Sequence, residues 1–508
     1  MTAVAAKNLA RLYEEAFERR GDYPSLFYED RWHSSSELFE RSSRLAGGVI
    51  ELGIEPGERV VVCMANCPEV TLSYQALWRT GAVVTPAMFL LATEDLRHVI
   101  ADSEASAVIT TPEFVDKVRD AVDGLACVRH VISTDSESSP AGVLALSDIE
   151  QSNPVPIVPR DDDDLAVLLY TGGTTGRAKG VMISHASLNF TGQAVEKAAH
   201  VDGVTRNLMT LPLAHAYGIL ITIAGLHAPQ LPVTVLMRWF DPGAFLTLVQ
   251  EQRVHSAPLV PSMIQMLLAQ PVEEFDLSSL RYLGSGAAPL PPEVVEEVRR
   301  RLPWVSIRQG YGLSETAALV STNPAGREKP GSVGLPIPGA EVRILDVEDR
   351  PLPAGEPGEI CVRSPAVMQG YWRAPEATAD AIRDGWLHTG DIGYLDDEGY
   401  LFIVDRKKDL IIRGGFNVYP RDVEDALLEH PAIVGAGVVG RSDERRGEEV
   451  VAFVALSEPD AVSEAELVAW ARQRIGGYKY PREVHIVDAI PLTAVGKLDR
   501  KALRTLLL

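Results

Sequence analysis

At 508 residues, 46% of them hydrophobic and 23% charged, the chain is too apolar for disorder and long enough for roughly two to four globular domains. A formal net charge of −22 excludes general nucleic-acid binding, which relies on Lys and Arg to neutralise phosphates, so any anionic substrate has to meet a local positive site. Four scattered cysteines, Cys63, Cys67, Cys127 and Cys361, form neither a disulfide framework nor a zinc motif; early charges at the N-terminus and the lack of a long apolar run point away from secretion or a membrane span and towards the cytoplasm.

In chain order, SSSELFERSSRLAGGVIELG predicts a helix opened by a capping box from Ser34 to Glu37 and closed by Gly53. RVVVCM has the β-branched density of a buried strand, PEVTLSYQALWRTG reads as a helix with Pro68 near its start and Gly81 at its end, and AVVTPA as the next strand. Strand, helix, strand at this spacing predicts parallel pairing through right-handed crossovers. The alternation continues through ASAVITT, LAVLLY, HSAPLVP and LRYLGSG. From about Ser332 to Val404 the pattern turns to short strands rich in Gly and Pro, among them GAEVRILD, GEICVRS and GYLFIVD, which predict a small β-rich subdomain. Beyond VDRKKDLIIRGG the chain reads as an α+β unit: a helix in RDVEDALLEH stopped by Pro431, strands in IVGAGVVG and VVAFVAL, a helix in SEAELVAWARQR and a strand in EVHIVD. The expected class is α/β. A large N-terminal domain of layered α/β subdomains over 1–404, containing the β-rich subdomain at about 332–404, precedes a small α+β domain over 405–508.

The stretch LLYTGGTTGRAKGV (168–181) carries four glycines, three threonines and a lysine behind an apolar strand. Glycines let backbone N–H groups approach closely, and Lys179 adds charge, so the loop suits phosphate oxygens. Its spacing is not that of a Walker A loop, since Gly176 is followed by Arg177. The loop is one of an ordered set: YTGGTTGRAKG (170–180), LPLAHAYG (211–218), SGAAPL (285–290), QGYGLSET (309–316), GEICVRSPAVMQGY (358–371), WLHTGD (386–391), DRKKDLIIRGGFNVYP (405–420) and PLTAVGK (491–497). Together these resemble the adenylate-forming superfamily of acyl-CoA and aryl-CoA synthetases, peptide-synthetase adenylation domains and beetle luciferases, most closely a bacterial acyl-CoA synthetase. The resemblance runs along essentially the whole chain. It departs at Gly172, where the family usually has Ser, and at Ala178, where it usually has Pro; one hydroxyl contact is lost and the loop is looser.

The resemblance implies a two-step ligase that joins a carboxylic acid to ATP as acyl-adenylate, releases pyrophosphate, and passes the acyl group to coenzyme A with loss of AMP. It assigns the ATP phosphates to Thr171, Gly172, Gly173, Thr174, Thr175, Gly176 and Lys179, and Mg²⁺ to Glu315 with Thr171. The adenine slot falls to Gly286, Ala287, Ala288 and Tyr311, with Gly310, Gly312 and Ser314 also on ATP, and the ribose to Asp391 with Arg406 nearby. Lys497 would bridge the substrate carboxylate and the α-phosphate, as a long ammonium that can later withdraw. The C-terminal domain would then rotate about Lys408 and bring Arg413, Gly414, Gly415 and Phe416 to line the pantetheine tunnel.

His215, Ala216, Tyr217, Gly284, Gly310 and Leu313 match the acyl pocket. His215 either positions the carboxylate or is a satisfied core histidine. Ala216 stands where amino-acid-activating relatives have an acid, which disfavours an α-amino acid. The apolar stretches GILITIAGLHA and VPSMIQMLLAQ, together with Ile412 where plant aryl ligases often have Lys, point to a medium- or long-chain fatty acid, with an aromatic acid as the alternative. Two other readings compete: an adenylating enzyme that loads a carrier protein in trans, and a nucleotide-binding regulatory protein without chemistry. Lys497, Glu315 and Asp391 count against the last. A homodimer is open to the chain.

Overall fold

Ser34 caps the first long helix as its sequence predicts: its Oγ accepts the Glu37 N–H at 3.1 Å, and the helix runs Ser35–Glu51. The structure, a computed structural model, describes residues 8–135, 140–171, 177–443, 445–459, 461–492 and 498–507. Its architecture is mixed α/β, with a large N-terminal and a small C-terminal domain. The chain divides into two compact units, one holding residues up to 341 together with 362–387, the other 342–361 together with 388–508. The division falls inside the segment read from sequence as one β-rich subdomain.

In the first unit, strands Val83–Pro86, Arg59–Cys63, Ala107–Thr110, His130–Ser133 and Val143–Ala145 lie side by side in parallel, as the strand–helix–strand alternation requires. Their buried valines, Val60, Val62 and Val84, pack with Leu45, Leu72 and Trp78 from helices Ser35–Glu51 and Pro68–Arg79. Each such fully buried side chain contributes roughly 1.5–3 kcal/mol. The Trp78 indole also donates to Ala166 O at 3.1 Å, satisfying its one polar group.

Strand Leu165–Thr171 extends this sheet and is followed by an antiparallel strand, Lys179–Ser184, and then by the short antiparallel strand Gly370–Tyr371. The glycine loop is therefore the connection of a hairpin, a partner strand that the sequence reading did not anticipate. The other sheet of this unit runs Tyr282–Ser285 between Ser256–Leu259 and Ser306–Tyr311, all parallel. Antiparallel strands Ser321–Thr322 and Leu335–Pro336 extend it beyond Ser306–Tyr311.

In the second unit, Ile433–Asp443 and Gly447–Leu456 form a long antiparallel hairpin, with Glu483–Ile486 parallel to the latter. Helices Pro420–Leu428 and Glu464–Arg474 supply Val423, Leu427 and Leu467 to a core shared with Val438 and Val450. Ser463 and Glu466 form the reciprocal capping box of the second helix. No helix among the described residues is long and apolar enough to cross a membrane.

Candidate active site

The glycine loop begins and ends on fixed feet. Thr171 pairs with Lys179 across the hairpin. Tyr170 donates to the Asp102 carboxylate at 2.6 Å, and His98 Nε2 contacts Ala178 O at 2.8 Å. The Trp372 indole donates to Asp102 O at 3.0 Å, and the Trp372 N–H to Gly180 O at 2.7 Å. Burial pushes the Tyr170 hydroxyl up and the Asp102 carboxylate adds to the rise, so it stays a proton donor. Gly172, Gly173, Thr174, Thr175 and Gly176 lie outside the described residues.

Lys179 is exposed, and its ammonium stands 5.1 Å from the centroid of the Tyr371 ring. The Tyr371 hydroxyl in turn donates to Glu315 Oε1 at 2.9 Å. The lysine expected at the phosphates and the carboxylate expected at the metal thus share one phenol. Burial, and after it Glu315, raises the Tyr371 hydroxyl well above its ordinary value and keeps it protonated. Sequence reading missed Tyr371; its signal was the end of GEICVRSPAVMQGY, where a Gly-Tyr pair returns to the hairpin as an edge strand.

Glu315 sits on a tight turn. Ser314–Thr316 is one 3₁₀ turn; Thr316 Oγ1 accepts the Leu313 N–H at 3.2 Å, Ala318 N–H reaches Leu313 O at 3.0 Å, and Met368 N–H reaches Glu315 O at 2.8 Å. Ala317 and Ala318 take φ of +47° and +84°, left-handed values that alanine adopts at a cost of order 1–3 kcal/mol each. Gly312 lets the turn fold back, since a Cβ there would lie 2.1 Å from Ala318 O and 2.5 Å from Leu319 Cα. Gly312→Ala is expected to cost about 1–3 kcal/mol of stability through this overpacking. A calorimetric melting temperature equal to that of the parent protein would contradict the close approach.

A carboxylate and a hydroxyl are hard oxygen donors that fit Mg²⁺, and the turn carrying Glu315 lies against strand Lys179–Ser184. Thr171, at the opposite foot of the hairpin, offers a further hydroxyl.

The adenine and acyl assignments also meet. Helix Ala216–His227 is capped by His215, whose Nδ1 accepts the Tyr217 N–H at 3.2 Å and so leaves the neutral ring's proton on Nε2. Tyr217 lies over the end of strand Tyr282–Ser285: a Cβ on Gly284 would stand 3.0 Å from its Oη, and one on Gly286 3.5 Å from its Cε1 and 3.5 Å from Gly310 O. Ala287 has φ +68°. Gly284, Gly286, Gly310 and Tyr217 therefore pack against one another, with Tyr311 ending the strand beside them. Leu313 packs against the main core of the unit, and Ala216 is buried in it. The apolar stretches read as candidate acyl-chain faces are core as well: Ile219 and Ile223 belong to one cluster, Ile264 and Leu267 to another.

In the second unit Asp391 and Arg406 face each other across antiparallel strands Trp386–Leu395 and Leu401–Arg406, with Oδ1 3.3 Å from Nε. Asp391 is 8% exposed, whereas the Arg406 side chain is half-exposed. Thr389 Oγ1 accepts the Asp391 N–H at 3.1 Å and donates to Ile360 O at 2.7 Å. Lys408 lies in the 3₁₀ turn Lys407–Asp409 between two buried aspartates: Asp405 accepts the N–H groups of Arg406 and Arg421, and Asp409 accepts from Arg504 Nη2 at 2.9 Å. Lys497 lies outside the described residues; beside it, Leu492 bridges Leu498, and Arg500 pairs with Glu424 at 2.8 Å.

Of the expected tunnel residues, Gly414 and Gly415 adopt φ +60° and +83° and form the two-residue turn between strands Ile411–Arg413 and Phe416–Val418. Phe416 is 59% exposed and leans on Tyr478. Arg413 differs from expectation. It is buried and bound to Glu449 through both Nε and Nη2, and its Nη1 donates to Tyr478 O at 2.9 Å, so its guanidinium is committed to an internal ion pair.

The AMP-binding enzyme family matches residues 13–372, and the AMP-binding enzyme C-terminal domain matches 422–497. The chain is 39% identical over 479 residues to a feruloyl-CoA synthase of Amycolatopsis sp, covering 92% of this chain and 93% of that one. It is 33% identical over 529 residues to a long-chain-fatty-acid–CoA ligase of Bacillus subtilis, covering 98% and 94%. Among solved structures, ATP-bound MatB from Rhodopseudomonas palustris superposes with a TM-score of 0.90 at 30% identity, covering 98% of each chain.

Proposed function

The chain belongs to the AMP-binding enzyme family and is an AMP-forming acyl-CoA ligase, and from that premise we propose that the acid it activates is a planar aryl or arylpropenoic acid rather than a long-chain fatty acid. The observation that carries this reading is the contact of the Tyr217 ring with Gly284 and Gly286, which sets an aromatic wall among the residues expected at the acyl pocket, a surface on which a flat ring can lie. The apolar helix faces that favoured a fatty chain are occupied in packing the core. The 39% identical feruloyl-CoA synthase supports the same choice.

In this reading the loop from Thr171 to Lys179 receives the ATP phosphates, its N–H groups and the Lys179 ammonium meeting charge as it builds on the phosphoryl oxygens. Glu315, oriented by Tyr371, and Thr171 hold Mg²⁺, which when bound supplies further neutralisation of those oxygens. His215 presents Nε2–H towards the carboxylate, Tyr311 stacks on adenine beside Gly286, Ala287 and Ala288, and Asp391 accepts hydrogen bonds from the ribose with Arg406 alongside. Lys497 serves adenylation. The Gly414–Phe416 turn serves thiol transfer after movement about Lys408.

Pyrophosphate exchange over a panel of acids, followed by addition of CoA, tests the proposal. A hydroxycinnamic acid should exceed dodecanoic acid in kcat/KM by about 10-fold or more, a difference of about 1.4 kcal/mol. The reverse order would restore the fatty-acid reading, and exchange without a CoA thioester would favour carrier loading. Gly284→Ala brings a methyl within 3.0 Å of Tyr217 Oη. It should raise KM for the aryl acid about 10-fold with KM for ATP unchanged; equal effects on both would place the acid elsewhere.

A further inference from the structure

GEICVRSPAVMQGY was singled out from sequence, yet Glu359 within it has no part in the mechanism above. It is a carboxylate only 6% exposed, on strand Gly358–Arg363. Three donors converge on it, two from strand Trp386–Leu395 and one from the turn Lys407–Asp409. Gly390 N–H reaches Oε1 at 3.2 Å, His388 Nδ1 reaches Oε2 at 3.2 Å, and Lys407 Nζ reaches Oε2 at 2.9 Å. A buried carboxylate held so is costly to disturb, because each donor would lose a charge-assisted partner. Burial pushes its pKa up, but Lys407 and His388 more than offset this and leave it below the ordinary carboxylate value.

The three donors are not arbitrary neighbours. Gly390 immediately precedes Asp391 and sits at φ +71°, so the Glu359 bond fixes the backbone from which the Asp391 carboxylate departs. Lys407 immediately follows Arg406, the residue paired with Asp391, and opens the turn containing Lys408. Cys361 Sγ lies 3.4 Å from His388 Nδ1, and Glu359, Cys361 and His388 are close enough together to hold a cation. The Lys407 ammonium already supplies that positive charge to Glu359.

We infer that Glu359 is a positioning residue for the nucleotide ribose, acting through Gly390 and Lys407 to set the Asp391–Arg406 pair. This rests on the proposed role of Asp391 at the ribose hydroxyls. Loss of the Glu359 charge releases Lys407 and slackens the Gly390 contact, so Asp391 meets the ribose with poorer geometry while the phosphate and acid contacts of the first unit are unchanged.

The test compares ATP with 3′-deoxy-ATP in pyrophosphate exchange for the parent enzyme, Asp391→Asn and Glu359→Gln, with melting temperatures recorded. Asp391→Asn should largely remove the preference for ATP. Glu359→Gln should lower kcat/KM for ATP about 10-fold, mostly through KM, while that for 3′-deoxy-ATP changes less than about 2-fold. If Glu359→Gln fails to fold, Lys407→Met, on a half-exposed side chain, should give the same pattern at about 3-fold. Equal losses with both nucleotides in a variant of parental stability would make Glu359 merely structural and overturn the inference. An unchanged preference in Asp391→Asn would instead remove the ribose reading beneath it.

Discussion

Lys497→Ala is expected to lower pyrophosphate exchange by about 10²–10³-fold, while thioester formation from presynthesised acyl-adenylate stays within about 3-fold of the parent enzyme. Adenylation brings two anions together, a carboxylate and a triphosphate, and an ammonium between them stabilises charge that exists fully only in the transition state. Once pyrophosphate has left, that need ends, and a side chain remaining there would obstruct the incoming thiol. The described residues on either side of Lys497 are themselves fixed. Leu492 bridges Leu498, Asp499 N–H reaches Pro491 O at 2.9 Å, and Asp499 caps helix Arg500–Thr505 through Ala502 N–H. The helix is tied down in turn by Arg500 on Glu424 and Arg504 on Asp409. Stopped-flow mixing of purified adenylate with CoA separates the half-reactions, and parallel loss of both would refute the division of labour between Lys497 and the Gly414–Phe416 turn.

Glu315→Gln should reduce exchange by about 10²-fold, ~3 kcal/mol of transition-state stabilisation, and raise the Mg²⁺ concentration needed for half-maximal rate. The substitution keeps the shape of the side chain and an oxygen able to accept from Tyr371, so turn 313–318 has no reason to collapse. What it removes is the negative charge that a divalent cation requires of a hard ligand. A Mg²⁺ titration of the exchange rate checks this; an unshifted midpoint would assign Glu315 to holding Tyr371 and not to the metal.

The local grammar of the chain was readable and its long-range pairings were not. Ser34 with Glu37, and Pro68 before its helix, are signals carried within a few residues, and the structure realises both. The glycine loop was recognisable by composition, but the antiparallel return of Lys179–Ser184 depends on register with Leu165–Thr171 and on Gly370–Tyr371 beyond it. Tyr371 and Glu315 lie 56 residues apart, and Glu359 meets Lys407 from 48 residues away. Neither contact leaves a local trace, because each arises where a strand meets a 3₁₀ turn from elsewhere in the chain. Arg413 shows the opposite case: a basic residue in a turn motif suggests a ligand, while its ion-pair partner Glu449 lies 36 residues downstream and out of sight of the local sequence. The apolar helix Ala216–His227 was ambiguous for a simpler reason, since a face that lines a channel and a face that packs a core have the same periodicity.

The paired left-handed alanines at 317 and 318 have an evolutionary consequence. Two consecutive positions there disfavour β-branched and bulky side chains, and a side chain at Gly312 would meet the backbone of Ala318, so the turn carrying Glu315 can drift very little. Tyr217 and Gly284 have no left-handed backbone to keep; they constrain each other, since a Cβ on Gly284 would stand 3.0 Å from Tyr217 Oη, so a change at one calls for a change at the other. With the acid placed as proposed, divergence in substrate would accumulate as paired changes at Tyr217 and Gly284 without touching the turn that carries Glu315, and laboratory retargeting should begin there.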